Sequence, residues 1–273
     1  MNDFLNKGIL FLINCVYNNV YGGFDMINKL IVNGDDFGMS LGTTLGILIA
    51  HQQGILTSTT CMMNMPYAQY ALDEAKKHPH LGVGVHLVLT VGKPLIEGKK
   101  SYTDQDGNFI RPKDYPDGHP HADSEELYLE WKAQIEKFIE ITGHKPTHID
   151  SHHHVHLLPW HIEVAKTLAQ EYDIPMRQRD RVLDTYEYVR CFDQMYHDDV
   201  NYDFFTNVLK NNTGNLEFMC HPALIDQRLY DMTSYHLPRM KELELLTSDE
   251  VKTFLQEHHI ESIHFSMLEK TKS

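Results

Sequence analysis

Two stretches of this 273-residue chain concentrate side chains able to do chemistry. The first, THIDSHHHVHLLP (147–159), holds His148, His152, His153, His154 and His156 with Asp150 among them. Crowded imidazoles compete for protons, so the choice lies between a solvated histidine loop and a metal site. The second, NGDDFG (33–38), sets Asp35 beside Asp36. One carboxylate can bind a cation while its neighbour stays free as a base; the alternative is an Asx turn or a helix cap. His86 stands in the apolar run GVGVHLVLT, where a hydrogen-bonded core residue is the ordinary reading, and His221 stands in CHP. An Asp/His/His set suits zinc and other first-row metals, whereas magnesium prefers oxygen. Three protein ligands leave room for water, as a hydrolytic site requires. Strand alternation would gather His148, Asp150, His152, His154 and His156 on one side, too many for one ion. His152 and His156 are also an i, i+4 pair. Asp150 is a candidate to orient a ligand imidazole from behind.

Short β-branched runs alternate with amphipathic stretches about these residues. KLIVN (29–33), LTSTTCMM (56–63), LGVGVHLVLT (81–90), PTHIDSH (146–152), IPMRQR (174–179), LEFMCHP (216–222) and IESIHF (260–265) read as strands. Helices are expected from Ser40 to about Gln52, from Pro66 to about Lys77, and from an Asp123/Glu126 capping box to Gly143. Others are expected over 159–172, over 202–211, and from a Thr247/Glu250 box to about His258. Strand and helix alternating about seven times means a parallel sheet, open or closed into a barrel. Asp35, Asp36, His86, His152 and His221 then all fall at C-terminal strand ends, where both folds build active sites. Between them, residues 92–123 are rich in Gly, Pro, Asp and Lys. That segment is expected to be a mobile rim or lid burying little apolar surface.

Composition narrows the class. With 24 Lys and Arg against 38 Asp and Glu, the formal net charge is −14. Such a chain lacks the basic stripes of a nucleic-acid binder. Cys15, Cys61, Cys191 and Cys220 form no CxxC pair and read as reduced, cytosolic, mostly buried thiols. The apolar run Ile9–Val16 is too short to span a bilayer and is not preceded by a clear basic segment. Residues 1–25 are expected to be a dispensable extension, and 26–273 a single domain.

LIVNGDDFGMS, GILTSTTCMMN, GVHLVLTVGKPL, KPTHIDSHHHVHLLP, CHPALID and LPRMKELELL resemble, in this order, the YdjC family of carbohydrate deacetylases. The resemblance runs from about Lys29 to Leu246. It implies a distorted β/α barrel, which with the seven alternations of strand and helix makes a seven-stranded parallel barrel, together with a divalent metal usually described as magnesium and often a homodimer. It also implies removal of N-acetyl groups from sugars such as diacetylchitobiose. By motif, Asp36, His86 and His152 match the metal ligands and Asp35 the catalytic base, with His221 the facing acid. Arg177 and Arg239 are candidates to orient Asp35 or bind acetate, against a plain surface role. Trp160, Tyr67 and Tyr235 are candidates for sugar stacking, against core packing. The rival functions are another metal hydrolase on the same barrel, acting on a phosphoester or a different amide, and a non-catalytic sugar-binding protein.

Overall fold

The computed structural model describes residues 26–271. The expected extension at 1–25, with its Ile9–Val16 run and Cys15, lies outside the described residues. Strand β1 (Ile27–Phe37) is buried almost throughout and is the hub of the sheet. Parallel to it pair β2 (Ser58–Cys61) on one side and β6 (Gly214–Cys220) on the other, while the two-residue β7 (Glu261–Ser262) joins β1 near its start. Strand β3 (Gly82–Leu87) follows β2, β4 (Ile149–Ser151) follows β3, and β5 (Arg190–Phe192) lies beyond β6. The expected strand over 174–179 is reduced to two single parallel bridges, Met176 to Ile149 and Gln178 to Arg190. Those bridges join the two free edges, β4 and β5, and close the sheet into a distorted barrel. Arg177 lies between them.

Helices cover the outside: α1 (Leu41–Gln53), α2 (Ala68–Ala75), α3 (Ser124–Thr142), α4 (Ile162–Tyr172), α5 (Tyr202–Lys210), α6 (Gln227–Met232), α7 (Leu237–Thr247) and α8 (Asp249–Glu257). Ser40 caps α1 as expected, its hydroxyl accepting from Thr43 N at 3.1 Å while the Thr43 hydroxyl accepts from Ser40 N at 3.0 Å. Gly46 lets α1 lie directly on the chain after His221, since a Cβ there would come 2.4 Å from Ala223 Cα. Asp123 caps α3, but Glu126 does not complete a reciprocal box; its carboxylate accepts from Ser101 N instead. Ser248, one residue later than expected, caps α8. Helices α6 and α7 and strand β5 have no counterpart among the expected elements.

Two differences bear on the site. First, β1 does not end at residue 33. It runs through both aspartates to Phe37, with a register shift against β2 between Gly34 and Phe37 and a left-handed Asp36 at φ 69°. An irregularity of this kind re-aims side chains at a strand end. Second, the segment 92–123 is not uniformly loose. Tyr102 and Phe109 are buried, Thr103 bridges Phe109, and the buried Glu130 carboxylate accepts from Leu95 N and Ile96 N, each at 2.9 Å. Burying the Phe109 ring contributes about 1.5–3 kcal/mol, so this part of the segment is anchored, while the largely exposed stretch Lys113–His119 keeps the character of a free rim. Among the described residues no helix is long and apolar enough to cross a membrane.

Candidate active site

A cavity of about 1370 Å³ opens at the C-terminal ends of the strands. Asp35, Asp36, His86, His152 and His221 all line it. They arrive from β1, from β3, from the turn after β4 and from the residue after β6, so sequence positions up to 186 apart converge through the parallel ladder.

Asp36 is the centre. Its Oδ1 lies 3.4 Å from His86 Nε2 and 3.0 Å from His152 Nδ1, and its Oδ2 accepts from an Arg239 NH2 group at 2.7 Å. Burial alone would raise its pKa, but Arg239 and the two imidazoles hold it well below the carboxylate range. His86 is fixed from behind, with its Nδ1 2.7 Å from Asp150 Oδ1. Burial opposes its protonation, yet the Asp150 and Asp35 carboxylates carry the imidazole up to about 10. The acids around His86 therefore favour positive charge at this point. A cation held there would supply it and release the imidazole's proton. One donor atom each from Asp36, His86 and His152 lies within 4.8 Å of the others. Bonds of about 2.0–2.2 Å to one ion require donors roughly this close. The donor set and its spacing thus fit a divalent cation, with Asp150 fixing the His86 tautomer.

Asp35 faces the other way. Its carboxylate takes a fork from Arg177, Oδ2 from NH1 at 2.7 Å and Oδ1 from NH2 at 2.6 Å, and Oδ1 also accepts from Asn33 Nδ2 at 2.8 Å. Burial pushes the carboxyl up, but Arg177, with help from His86 and His221, holds it far below the usual range. Arg177 is fully buried and also meets Asp150 Oδ2 at 2.9 Å and Glu217 Oε1 at 2.7 Å. It orients Asp35, as the sequence reading allowed; Arg239 instead orients Asp36. Neither has a surface role.

His221 hangs from a backbone N–H that donates to the buried Glu242 carboxylate, which also accepts from Tyr235 Oη at 2.6 Å. Its Nδ1 is buried without a partner, which leaves Nε2 as the nitrogen facing the cavity. Burial, reinforced by Arg239, pushes the imidazole down to about 4, against the pull of Asp36 and Asp35.

The rest of the histidine segment parts company after Ser151. Strand alternation stops there, and a 3₁₀ turn over His152–Leu157 follows, with left-handed His153 (φ 58°) and His154 (φ 53°). Only His152 reaches Asp36. His154 also lines the cavity, its Nε2 3.3 Å from Asp193 Oδ2, whereas His156 bonds Ser151 Oγ and approaches Arg177 O at 3.2 Å and so supports the turn from below. His148 lies deeper still, stacked on Phe265 at 3.8 Å. His153 does line the cavity, its Nδ1 3.0 Å from the Thr90 hydroxyl. Of the stacking candidates, Tyr235 lines the cavity, edge-on to Tyr196 at 5.6 Å. Trp160 clips the rim instead, stacking on His121 at 4.4 Å and donating to Pro120 O at 2.8 Å, and Tyr67 is not among the lining residues. Glu217, Glu242, Asp193 and Tyr196 escaped the sequence reading. The one available signal for Glu217 was an acid in the apolar run LEFMC.

The sequence model for YdjC-like protein matches residues 29–257. A carbohydrate deacetylase of Clostridium beijerinckii is 40% identical over 247 residues, covering 87% of this chain and 98% of its own. One of Brevibacillus brevis is 40% identical over 253 residues, covering 88% and 99%. A solved protein of Enterococcus faecalis V583, described as a candidate cellobiose-phosphate cleavage protein, superposes with a TM-score of 0.79 at 33% identity, covering 88% of this chain and 98% of its own.

Proposed function

The chain belongs to the YdjC-like protein family, and from that premise we propose that it is a carbohydrate deacetylase that hydrolyses N-acetyl groups from acetylated sugars, chitooligosaccharides such as diacetylchitobiose among them. One observation carries the reading. Asp36, His86 and His152 present donors to one point, and the Arg177-held Asp35 lies beside them in the same cavity. Asp36, His86 and His152 hold a divalent cation in this reading: magnesium by family resemblance, zinc or another first-row metal by donor chemistry. That cation supplies Lewis-acid activation of water and of the acetamide carbonyl.

The chain's own groups do the rest. Asp35 stays ionised through the working pH range, and Oδ2, which accepts one bond where Oδ1 accepts two, has a lone pair left for a proton from water. Water oxygen joins the carbonyl carbon, the carbon–nitrogen bond breaks, and acetate and a free amino sugar leave. His221 delivers a proton to the departing nitrogen from Nε2. It rests neutral, so its acid form arises only once a proton has reached that nitrogen in the site. Tyr235 and Tyr196 form an aromatic wall suited to a sugar face.

The test is acetate release from a panel of N-acetylated mono- and disaccharides after metal reconstitution. No acetate from any member, with the cation bound, would defeat the reading. A second reading, phosphoester hydrolysis, draws on Arg111 and Lys113 at the outer rim of the cavity. Inorganic phosphate in place of acetate would select it. The exposed Leu224, Tyr230, Leu237 and Met240, with Leu41 at the start of α1, support the homodimer that the family resemblance implies. Light scattering of the purified chain decides that point.

A further inference from the structure

Arg177 faces three carboxylates with one positive charge. Its outer edge, NH1 and NH2, forks onto Asp35. Its inner edge meets Glu217: Nε donates to Oε1 at 2.8 Å, and NH2 lies 2.7 Å from the same oxygen. Asp150 Oδ2 closes the ring at 2.9 Å from NH2. Asp35 has a role in the proposed reaction and Asp150 orients His86, whereas Glu217 has neither. It sits deeper in the barrel, paired in register with Ile31 and Cys191, four residues below the Asp35 level of β1. It is fully buried, and its Oε2 has no hydrogen-bond partner. Burying a carboxyl this way is costly, and the other two acids already match the guanidinium. A leucine would fill the place more cheaply. What leucine cannot do is accept from Nε.

We propose that Glu217 is a positioning residue for the deacetylation: its Oε1 fixes the roll of the Arg177 guanidinium so that the adjoining NH1/NH2 edge meets Asp35 as a fork. This rests on the function proposed above. A guanidinium is planar, so an acceptor on its Nε edge sets the plane in which NH1 and NH2 must point. Without that acceptor the plane turns about the Cδ–Nε bond and the fork onto Asp35 loosens, with the proton-accepting oxygen displaced. The acceptor matters and the negative charge does not. Burial pushes Glu217 up to about 7 against the pull of Arg177, which agrees with a carboxyl that serves equally well when neutral.

Three variants test this in the full chain with metal restored. Glu217→Gln keeps the acceptor and should hold kcat within threefold of the parent. Glu217→Leu should lower kcat at least tenfold while KM stays within twofold and cation content is unchanged. In an Arg177→Lys background, which has no Nε edge to hold, Glu217→Leu should cost less than threefold more. Glu217→Leu with parental kcat, Glu217→Gln as impaired as Glu217→Leu, or full additivity with Arg177→Lys would each overturn the proposal. If Glu217→Leu does not fold, Glu217→Ser, too short to reach Nε, takes its place with the same outcomes. The Arg177 Nε–H resonance gives a readout independent of turnover. It should be protected from exchange in the parent and in Glu217→Gln and exposed in the Leu or Ser variant; equal protection in all of them refutes the clamp. A parent chain that releases no acetate but shows this protection pattern would defeat the deacetylase reading and leave the clamp standing.

Discussion

At the C-terminal ends of the strands, His86 and His152 face Asp36, with Asp150 and Asp35 at their backs. At the opposite end, His51, His80, His259 and His264 line a second cavity of about 520 Å³ together with Lys252, and no carboxylate is among its described lining residues. The two gatherings are alike in sequence composition and unlike in physics. Below, His51 donates from Nδ1 to Leu56 O at 2.8 Å, and burial followed by neighbouring imidazoles lowers its affinity for a proton. His264 behaves likewise. Above, acids outweigh burial and His86 is driven the other way. Among the described residues, the groups of three donors within 4.8 Å of one another both include His86. Histidines become a candidate cation site when carboxylates aim their nitrogens at one point, and not by being numerous.

That contrast can be broken most decisively at His86. His86→Ala should strip the cation and lower acetate release by about three orders of magnitude or more, the scale of the several kcal/mol that a Lewis acid contributes. Metal analysis of the purified variant checks it, and stoichiometric cation in an active variant would end the assignment. Next comes Asp35→Asn, which preserves shape but not basicity. Activity should fall about 10²–10⁴-fold with cation content unchanged; near-parental turnover would remove Asp35 from the chemistry. Asp150→Asn probes the aiming itself and should weaken cation affinity about 10–100-fold, read by titration with a competing chelator.

The rim gives a smaller effect. Shortening Lys113–Gly118 should change KM or chain-length preference severalfold with the melting temperature nearly constant, while Phe109→Ala should cost about 3 kcal/mol of stability. Equal stability losses would show that the segment is one structural unit. Smallest of all, His51→Gln with His264→Gln in the lower cavity should move stability by no more than about 0.5 kcal/mol per residue and leave one cation per chain. A second bound cation lost in that variant would erase the distinction between the two ends.

Much of the upper site was legible because motif and strand pattern agreed. KLIVN, GVGVHLVLT and PTHIDSH each put a reactive residue at the end of a buried strand, and the parallel fold brings such ends together. What was not legible depended on backbone exceptions and on distant partners. The continuation of β1 through Asp36 rests on a left-handed residue and a register shift that no periodicity announces. Helix α7 carries Arg239 and Glu242 three residues apart, and their meaning appears only when Asp36 and His221 are beside them. The segment 92–123 misled because Gly, Pro and Asp dominate its composition, while two aromatic residues, Tyr102 and Phe109, decide its packing. Residues 174–179 look like a strand and are β-branched too sparsely to sustain more than single bridges.

Those single bridges make a mechanical seam. Around most of the barrel, neighbouring strands are tied by several ladder bonds. At Arg177 the hoop is completed by few: Ile149 N to Pro175 O at 3.0 Å, Arg177 N to Ile149 O at 3.0 Å, and Cys191 N to Gln178 O at 2.8 Å. Segments so thinly bonded open at lower free energy than the fold as a whole. The guanidinium reaching across to Asp35, Asp150 and Glu217 ties β1, β4 and β6 together where the backbone does least. The girth of the barrel and the aim of Asp35 therefore share one side chain, and a strain applied to either will be felt by the other.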